Sequence, residues 1–116
     1  MNKEQLEQAK EIFQENEHLF AKLHKVGRQY EEIDFDESGL YEEDEERTLR
    51  HWNKLTAKLA EALQCGLEDA EVSVEKCDDP AKYTVSFTIT SKEGDKEESS
   101  GLRIDYSNEG EISISV

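Results

Sequence analysis

The sequence predicts an α+β domain: two N-terminal helices packed on one face of a four-stranded antiparallel meander, in the order ααββββ. Two observations predict this fold. Apolar residues recur at steps of three and four in residues 2–33 and 41–64, on either side of a connector at 34–40, which is the helical period. From Ala70 onward they recur at every second position, which is the period of strands. A chain of 116 residues suffices for one core, so residues 1–116 form a single acidic domain.

The first predicted helix spans residues 2–33. Its apolar stripe has two adjacent rows: Leu6, Ala9, Phe13, Phe20, Leu23 and Tyr30, then Ile12, Leu19, Val26 and Ile33. Asn16 and Gly27 interrupt this stripe. Glycine in a helix interior costs about 1 kcal/mol relative to alanine, so Gly27 is the expected position of a kink or an early helix end.

The second predicted helix covers residues 41–64, and Gly66 is the expected left-handed residue after its end. Its apolar stripe is Leu49, Trp52, Leu55, Leu59 and Leu63. Two ion pairs between residues four apart are expected near its start: Glu43–Arg47 and Glu46–Arg50. The single tryptophan lies on the stripe, so we expect Trp52, like Phe20, in the core.

Four strands are predicted from the alternation, over residues 70–74, 83–90, 102–106 and 112–116. Short turns join them, which favours an antiparallel meander. One face of this sheet is apolar and matches the stripes of the helices. The other face is rich in serine and threonine, as a solvated strand face usually is.

The charge of the chain is strongly negative and unevenly distributed. Lysine and arginine number 14 against 29 aspartates and glutamates, for a net charge of −15. Ten carboxylates without an intervening lysine or arginine crowd residues 31–46: Glu31, Glu32, Asp34, Asp36, Glu37, Glu42, Glu43, Asp44, Glu45 and Glu46. Their mutual repulsion raises the free energy of a compact state, so we expect a basic partner or a bound cation. Direct binding to nucleic acid or to an anionic membrane is disfavoured.

The sequence also indicates a cellular location. It has no apolar stretch near the roughly 20 residues that span a bilayer, and its polar first ten residues are unlike a signal peptide. Cys65 and Cys77 belong to the end of a helix and the far end of the next strand, too far apart for a disulfide. We therefore expect reduced thiols and a cytoplasmic protein, with a monomer as the favoured oligomeric state.

A calcium site is one alternative for the acidic segment. Loop positions 1, 3, 5, 6, 9 and 12 of an EF-hand are matched by Asp34, Asp36, Ser38, Gly39, Glu42 and Glu45. Residues 34–45 thus resemble an EF-hand loop, which implies Asp34, Asp36, Ser38 and Glu45 as ligands. Tyr41 at position 8 and Glu46 after the closing glutamate depart from the pattern, and there is no second hand. Our main expectation is a protein without a metal or other cofactor.

No catalytic motif is present in the sequence. The three histidines, His18, His24 and His51, show no metal-ligand spacing and are expected at the surface. Residues 99–101, Ser-Ser-Gly, lack the flanks of a nucleophile elbow, and there is no glycine-rich phosphate loop. We therefore predict a protein that is not an enzyme.

In its size, acidity and helix-plus-sheet pattern the whole chain resembles the bacterial DNA-mimic proteins. Within that class it is similar to an acidic mimic that binds the histone-like nucleoid protein HU, although the class shares no sequence motif. The resemblance implies a competitive mechanism, in which carboxylates occupy the DNA-binding surface of a basic protein. The expected contacts are the ten carboxylates of residues 31–46, with a second row formed by Asp78, Asp79, Glu93, Asp95, Glu97 and Glu98.

Three other functions remain open at this point. An immunity or inhibitor protein against a basic nuclease or a phage-defence complex would use the same physics with a different partner. A calcium-binding module would use residues 34–45. A protein whose charge serves solubility alone would need no partner.

Overall fold

The structure is a computed structural model that describes residues 3–33, 41–76, 79–93, 96–106 and 111–115. In chain order the elements are α1 (Lys3–Glu15), α2 (Glu17–Glu31), α3 (Tyr41–Gly66), β1 (Ala70–Val74), a 3-10 turn (Pro80–Lys82), β2 (Thr84–Glu93), β3 (Lys96–Tyr106) and β4 (Ile112–Ser115). The predicted α+β class, with helices preceding a four-stranded antiparallel sheet, is confirmed. The number of helices is not, because the described residues form three α-helices where the sequence predicted two.

The predicted first helix is divided at Asn16. This residue has φ −109° and ψ 26°, outside the helical range, and α2 begins at the next position. Its side-chain amide donates to the Ile12 carbonyl at 2.8 Å, and the Asn16 backbone N–H reaches the same oxygen at 3.1 Å. Asparagine competes for backbone hydrogen bonds in this way, which is why it weakens helix interiors. At this interruption the Ile12 carbonyl oxygen therefore has hydrogen-bond donors, both of them from Asn16.

Gly27 does not end the helix early, one of the two roles predicted for it, because α2 continues to Glu31. It is buried within α2, where the 3-10 turn packs against it. A Cβ atom at this position would lie 2.6 Å from Tyr83 Cε1 and 2.8 Å from the Pro80 carbonyl oxygen. Glycine is thus required here for the close approach of two elements.

Gly66 was also predicted for the wrong role. It is the last residue of α3 and is not left-handed; the nearby residue with a left-handed backbone is Asp69, at φ 54°. A Cβ on Gly66 would collide with Ile12 Cδ1. The glycine therefore allows α1 to approach the end of α3.

The strand order is β1-β2-β3-β4, as an antiparallel meander requires. Val72 lies opposite Ile89, Phe87 opposite Leu102, and Ile104 opposite Ile114. The β2–β3 hairpin extends from the Thr84–Asp105 pair to the Glu93–Lys96 pair, further than the alternating pattern predicted.

The core lies between the helices and the apolar face of the sheet. Phe13 of α1 stacks on Phe87 of β2 with ring centroids 6.1 Å apart. Phe20 of α2 and Trp52 of α3 each pack on Tyr106 of β3, at 5.9 Å. Phe20 and Trp52 are buried, as predicted, and full burial of an aromatic side chain contributes about 1.5–3 kcal/mol. Each helix thus contributes an aromatic side chain to the sheet. Among the described residues, no helix is both long and apolar enough to span a membrane.

Candidate functional site

Five acidic residues, 42–46, occupy the first turns of α3 and are distributed around the helix. Glu42, Glu43 and Glu46 are exposed, whereas Glu45 is half-buried. Successive helical residues are rotated by about 100°, so Glu42, Glu46 and Glu43 fall within one arc of about 100°, at roughly 80°, 120° and 180° from Trp52 around the helix axis. These three residues form one exposed row, which we call the α3 acidic row.

Two arginines partly neutralise the neighbouring acids. Arg47 binds Asp44, three residues before it, whereas the sequence predicted Glu43 as its partner. The predicted pair between Arg50 and Glu46 is present at 3.7 Å. All four side chains are mostly exposed, and exposed pairs contribute at most about 1 kcal/mol. The arginines therefore balance part of the local charge, and Arg50 pairs with one member of the α3 acidic row, Glu46, which stays mostly exposed.

The end of α2 brings Glu31 and Glu32 to the same end of the molecule. Both side chains are exposed, and Glu31 accepts a hydrogen bond from the Tyr83 hydroxyl. Burial raises the pKa of the Tyr83 phenol, the hydrogen bond and negative charge of Glu31 raise it further, and Arg28 opposes the change. Tyr83 thus fixes the end of α2 beside the 3-10 turn.

The start of α3 extends beyond the sheet. Trp52 packs on Tyr106, and Glu42 precedes Trp52 by ten residues, or about 15 Å of helix. Together, Glu31, Glu32 and residues 42–46 define what we call the acidic end. The acidic end therefore combines carboxylates from the end of α2 and from the start of α3.

Asp79 has a structural role near this end. Its carboxylate accepts from the backbone N–H of Ala81 at 3.1 Å and so caps the 3-10 turn. It also lines a cavity of about 240 Å³ beside Trp52, together with Glu75, Lys76, Lys82 and residues 84–86. Because two lysines and two carboxylates share this cavity, it is nearly balanced in charge, unlike the α3 acidic row.

Glu97 and Glu98 lie at the opposite end of the molecule. Glu98 pairs with Ser91, and Ser91 pairs with Ala70, whose carbonyl oxygen binds the side chain of Gln64. Gln64 follows Glu42 by 22 residues, or about 33 Å of helix. The structure, whose longest dimension is 55 Å, therefore separates this part of the predicted second row from the acidic end.

Several predicted contact residues lie outside the described part of the chain: Asp34, Asp36, Glu37, Asp78 and Asp95. Glu93 ends β2 opposite Lys96. Of the EF-hand-like loop, Ser38 and Gly39 are likewise outside, while Glu42 and Glu45 belong to α3. Within the described ranges, no group of three histidine, cysteine, aspartate or glutamate side chains is arranged to hold a metal ion. Cys65 is exposed, and Cys77 is not among the described residues.

The histidines differ in their surroundings. His18 and His51 are exposed as predicted, but His24 is half-buried and stacks on Tyr83 with ring centroids 5.1 Å apart. Its Nε2 atom is buried without a hydrogen-bond partner among the described residues. Tyr83 itself was assigned to a strand because it continues the alternation. It instead follows the 3-10 turn with a left-handed backbone, at φ 53°, which no sequence signal indicated.

No protein-family model, curated protein or solved structure matches this chain. Function must therefore be inferred from the residues themselves.

Proposed function

We propose that this protein is a non-catalytic DNA mimic, which binds the DNA-binding surface of a basic protein through its acidic end. The histone-like nucleoid protein HU is the proposed partner. The observation that carries the proposal is the α3 acidic row, where Glu42, Glu43 and Glu46 are exposed on one side of a helix that extends past the sheet.

The geometry of a helix supports phosphate mimicry. Glu42 and Glu46 are four residues apart, which places their Cβ atoms about 5–6 Å from one another. Lysine and arginine side chains arrayed for successive phosphates can therefore engage neighbouring carboxylates of the row. Because the helix already holds the carboxylates in place, binding does not have to order the backbone that carries them.

The net charge supports rapid and selective association. A charge of −15 attracts a basic protein over distances set by salt and repels nucleic acid. Opposite charge on two surfaces increases the association rate and suppresses wrong partners. The complex should therefore form quickly and weaken as salt is added.

A competition experiment tests the proposal. Fluorescence anisotropy of a labelled DNA duplex bound to purified HU is followed while this protein is added at 0.1 M NaCl. We expect the anisotropy to fall to the value of free DNA as HU exchanges its duplex for the acidic end. Unchanged anisotropy at saturating protein would exclude HU as the partner.

Two variants with equal net charge locate the contact. Glu42→Gln/Glu43→Gln/Glu46→Gln neutralises the α3 acidic row, and the control Glu4→Gln/Glu7→Gln/Glu11→Gln neutralises three exposed glutamates of α1. Each exposed ion pair contributes about 0.2–1 kcal/mol, so losing three weakens competition about tenfold. The α1 variant should compete nearly as well as the parent. Equal losses in both would mean that total charge, rather than this surface, is recognised.

The alternative of an immunity protein for a basic nuclease predicts a different outcome. Such a protein would protect DNA from the nuclease through the same α3 acidic row and leave the HU–DNA complex intact.

A further inference from the structure

The two edges of the sheet differ in how their backbone groups are satisfied. At the β1 edge, the side-chain amide of Gln64 donates to the Ala70 carbonyl oxygen at 2.6 Å and accepts from the Val72 N–H at 2.9 Å. A side chain of α3 thus takes the place of a neighbouring strand. This edge is closed to another chain at both positions.

The β4 edge has no such strand substitute among the described residues, where β4 is the last strand of the sheet. The Tyr106 N–H bonds to the Tyr83 carbonyl on the β2 side, at 3.1 Å. Because backbone groups alternate in direction along a strand, those of Asp105 point to β4, where Ser113 lies opposite. Ser113 therefore bonds to β3, and the residues on either side of it direct their N–H and C=O groups away from the sheet.

A groove with both polar and apolar lining residues accompanies this open edge. It has a volume of about 380 Å³ and lies between α1 and β4, lined by Lys10, Phe13, Gln14 and residues 112–114. Phe13 is buried, but Ile112 and Ile114 are only half-buried, although both face the helices. The helix layer therefore leaves the last strand incompletely covered.

We propose that β4 pairs with β4 of a second copy of this chain, antiparallel and centred on Ser113. In this register Ile112 faces Ile114 of the second copy, and the reverse pair is equivalent by two-fold symmetry. Both residues have outward backbone groups, so the two pairs form four hydrogen bonds. The isoleucine side chains of the two copies meet on the helix face of the sheet, where each copy covers the groove of the other. The two sheets together form one sheet of eight strands.

The distribution of charge favours a second copy over a basic peptide. Residues 112–115 carry no charge, and of the described residues that line the groove Lys10 alone is charged. A cationic segment would meet a lysine there and no carboxylate. In the proposed register Glu111 lies opposite Ser115 of the second copy, so like charges do not face each other. The edge is therefore a place where two acidic molecules can approach.

The self-association should be weak and promoted by salt, opposite to the salt dependence expected for a complex with a basic protein. Two four-residue strands make a small contact, so we expect association at a protomer concentration of about 0.1 mM. Two molecules of charge −15 repel, and screening shortens that repulsion from about 10 Å at 0.1 M salt to about 3 Å at 1 M.

Sedimentation equilibrium at 0.1 M and 1 M NaCl tests the proposal. The average mass should rise with salt from the protomer mass of 13.4 kDa toward twice that value. Ser113→Glu places two carboxylates directly opposite each other at the centre of the contact and should reduce the association constant at least tenfold. Ser73→Glu is the matched control, because Ser73 is an equally exposed serine on the closed edge strand β1.

A charge exchange tests the register. Ser113→Lys alone should also be monomeric, while an equal mixture of the Ser113→Glu and Ser113→Lys proteins should associate at least as well as the parent. A parent that keeps the protomer mass at 1 M NaCl and 1 mM protein would overturn the proposal. So would a mixture that fails to associate, or Ser73→Glu acting like Ser113→Glu. None of these results bears on the acidic end, whose test is displacement of DNA from HU.

Discussion

The rings of His24 and Tyr83 lie nearly parallel, with centroids 5.1 Å apart and an angle of 18° between their planes. Tyr83 has a left-handed backbone, at φ 53°, which costs a non-glycine residue about 1–2 kcal/mol. Its contacts must offset that cost, and they include the stacking on α2 and the hydrogen bond to Glu31. This tyrosine therefore links the sheet to the acidic end.

The raised pKa of Tyr83 predicts a loss of stability at alkaline pH. The phenol ionises at a higher pH in the folded protein than in the unfolded chain, where its pKa is 10.0. The stabilisation of the folded protein by the neutral Tyr83 phenol is therefore fully present below about pH 10. It is lost as the pH rises through the pKa of Tyr83 in the folded protein. Tyr83→Phe should cost about 0.5–1 kcal/mol at neutral pH, where it removes the hydrogen bond to Glu31. Urea unfolding between pH 8 and 11 should show a smaller decline for this variant than for the parent, whereas parallel curves would exclude the linkage.

The close contact at Gly27 predicts a large effect of one methyl group. Gly27→Ala places Cβ 2.6 Å from Tyr83 Cε1, and such overpacking costs about 1–3 kcal/mol. Gly101→Ala is the control, because a Cβ there meets nothing within 4 Å and the smaller entropy of the unfolded chain stabilises the variant by about 0.5 kcal/mol. Thermal unfolding of both proteins measures the difference. Equal melting temperatures would show that the 3-10 turn moves away from the added methyl group without any loss of stability.

The contact between Gln64 and β1 predicts a measurable stabilisation. Gln64→Ala leaves the Ala70 carbonyl and the Val72 N–H without this partner, at a cost of about 1 kcal/mol in total. Gln29→Ala, at an exposed position of α2, controls for the helix propensity of alanine. Hydrogen exchange at Val72 should accelerate in Gln64→Ala alone. An unchanged exchange rate would mean that the side chain does not close the edge.

Repulsion within the acidic segment predicts that salt stabilises the isolated protein. Ten carboxylates crowd residues 31–46, and screening acts over about 10 Å at 0.1 M salt. The melting temperature should rise by a few degrees between 0.05 M and 0.5 M NaCl, and by less in the Glu42→Gln/Glu43→Gln/Glu46→Gln variant. A melting temperature that falls with NaCl would show that favourable ion pairs outweigh the repulsion.

The fold class could be predicted from the sequence because it depends on the local spacing of apolar residues. That spacing changes once along the chain, from the helical period to the strand period at Ala70. The interruptions were harder to predict. Asn16 and Gly27 both break the apolar stripe, but only Asn16 has a side chain that competes for the Ile12 carbonyl. Gly27 and Gly66 allow close contacts with residues that are distant in sequence. The presence of a glycine in a sequence does not show which distant residue packs against it.

The candidate site was predicted in part. The crowding of residues 31–46 is a property of the sequence, and the exposure of Glu42, Glu43 and Glu46 on one side of α3 follows from the bounds of that helix. The distance between acidic residues that are far apart in sequence depends instead on the topology of the sheet. Asp79 precedes β2, whereas Glu98 lies in β3 opposite Ser91, near the other end of β2, so the length of β2 separates the two carboxylates. The role of Gln64 was invisible because it depends on where α3 passes the sheet edge.

The most direct test of the acidic end is the salt dependence of the proposed complex with HU. Association constants from titration calorimetry at 0.05–0.3 M NaCl, plotted as logarithms, give a slope that reports the ionic contacts formed. We predict a steep decline for the parent, a shallower one for Glu42→Gln/Glu43→Gln/Glu46→Gln, and the parental slope for Glu4→Gln/Glu7→Gln/Glu11→Gln. A common slope for all three proteins would contradict docking through the α3 acidic row.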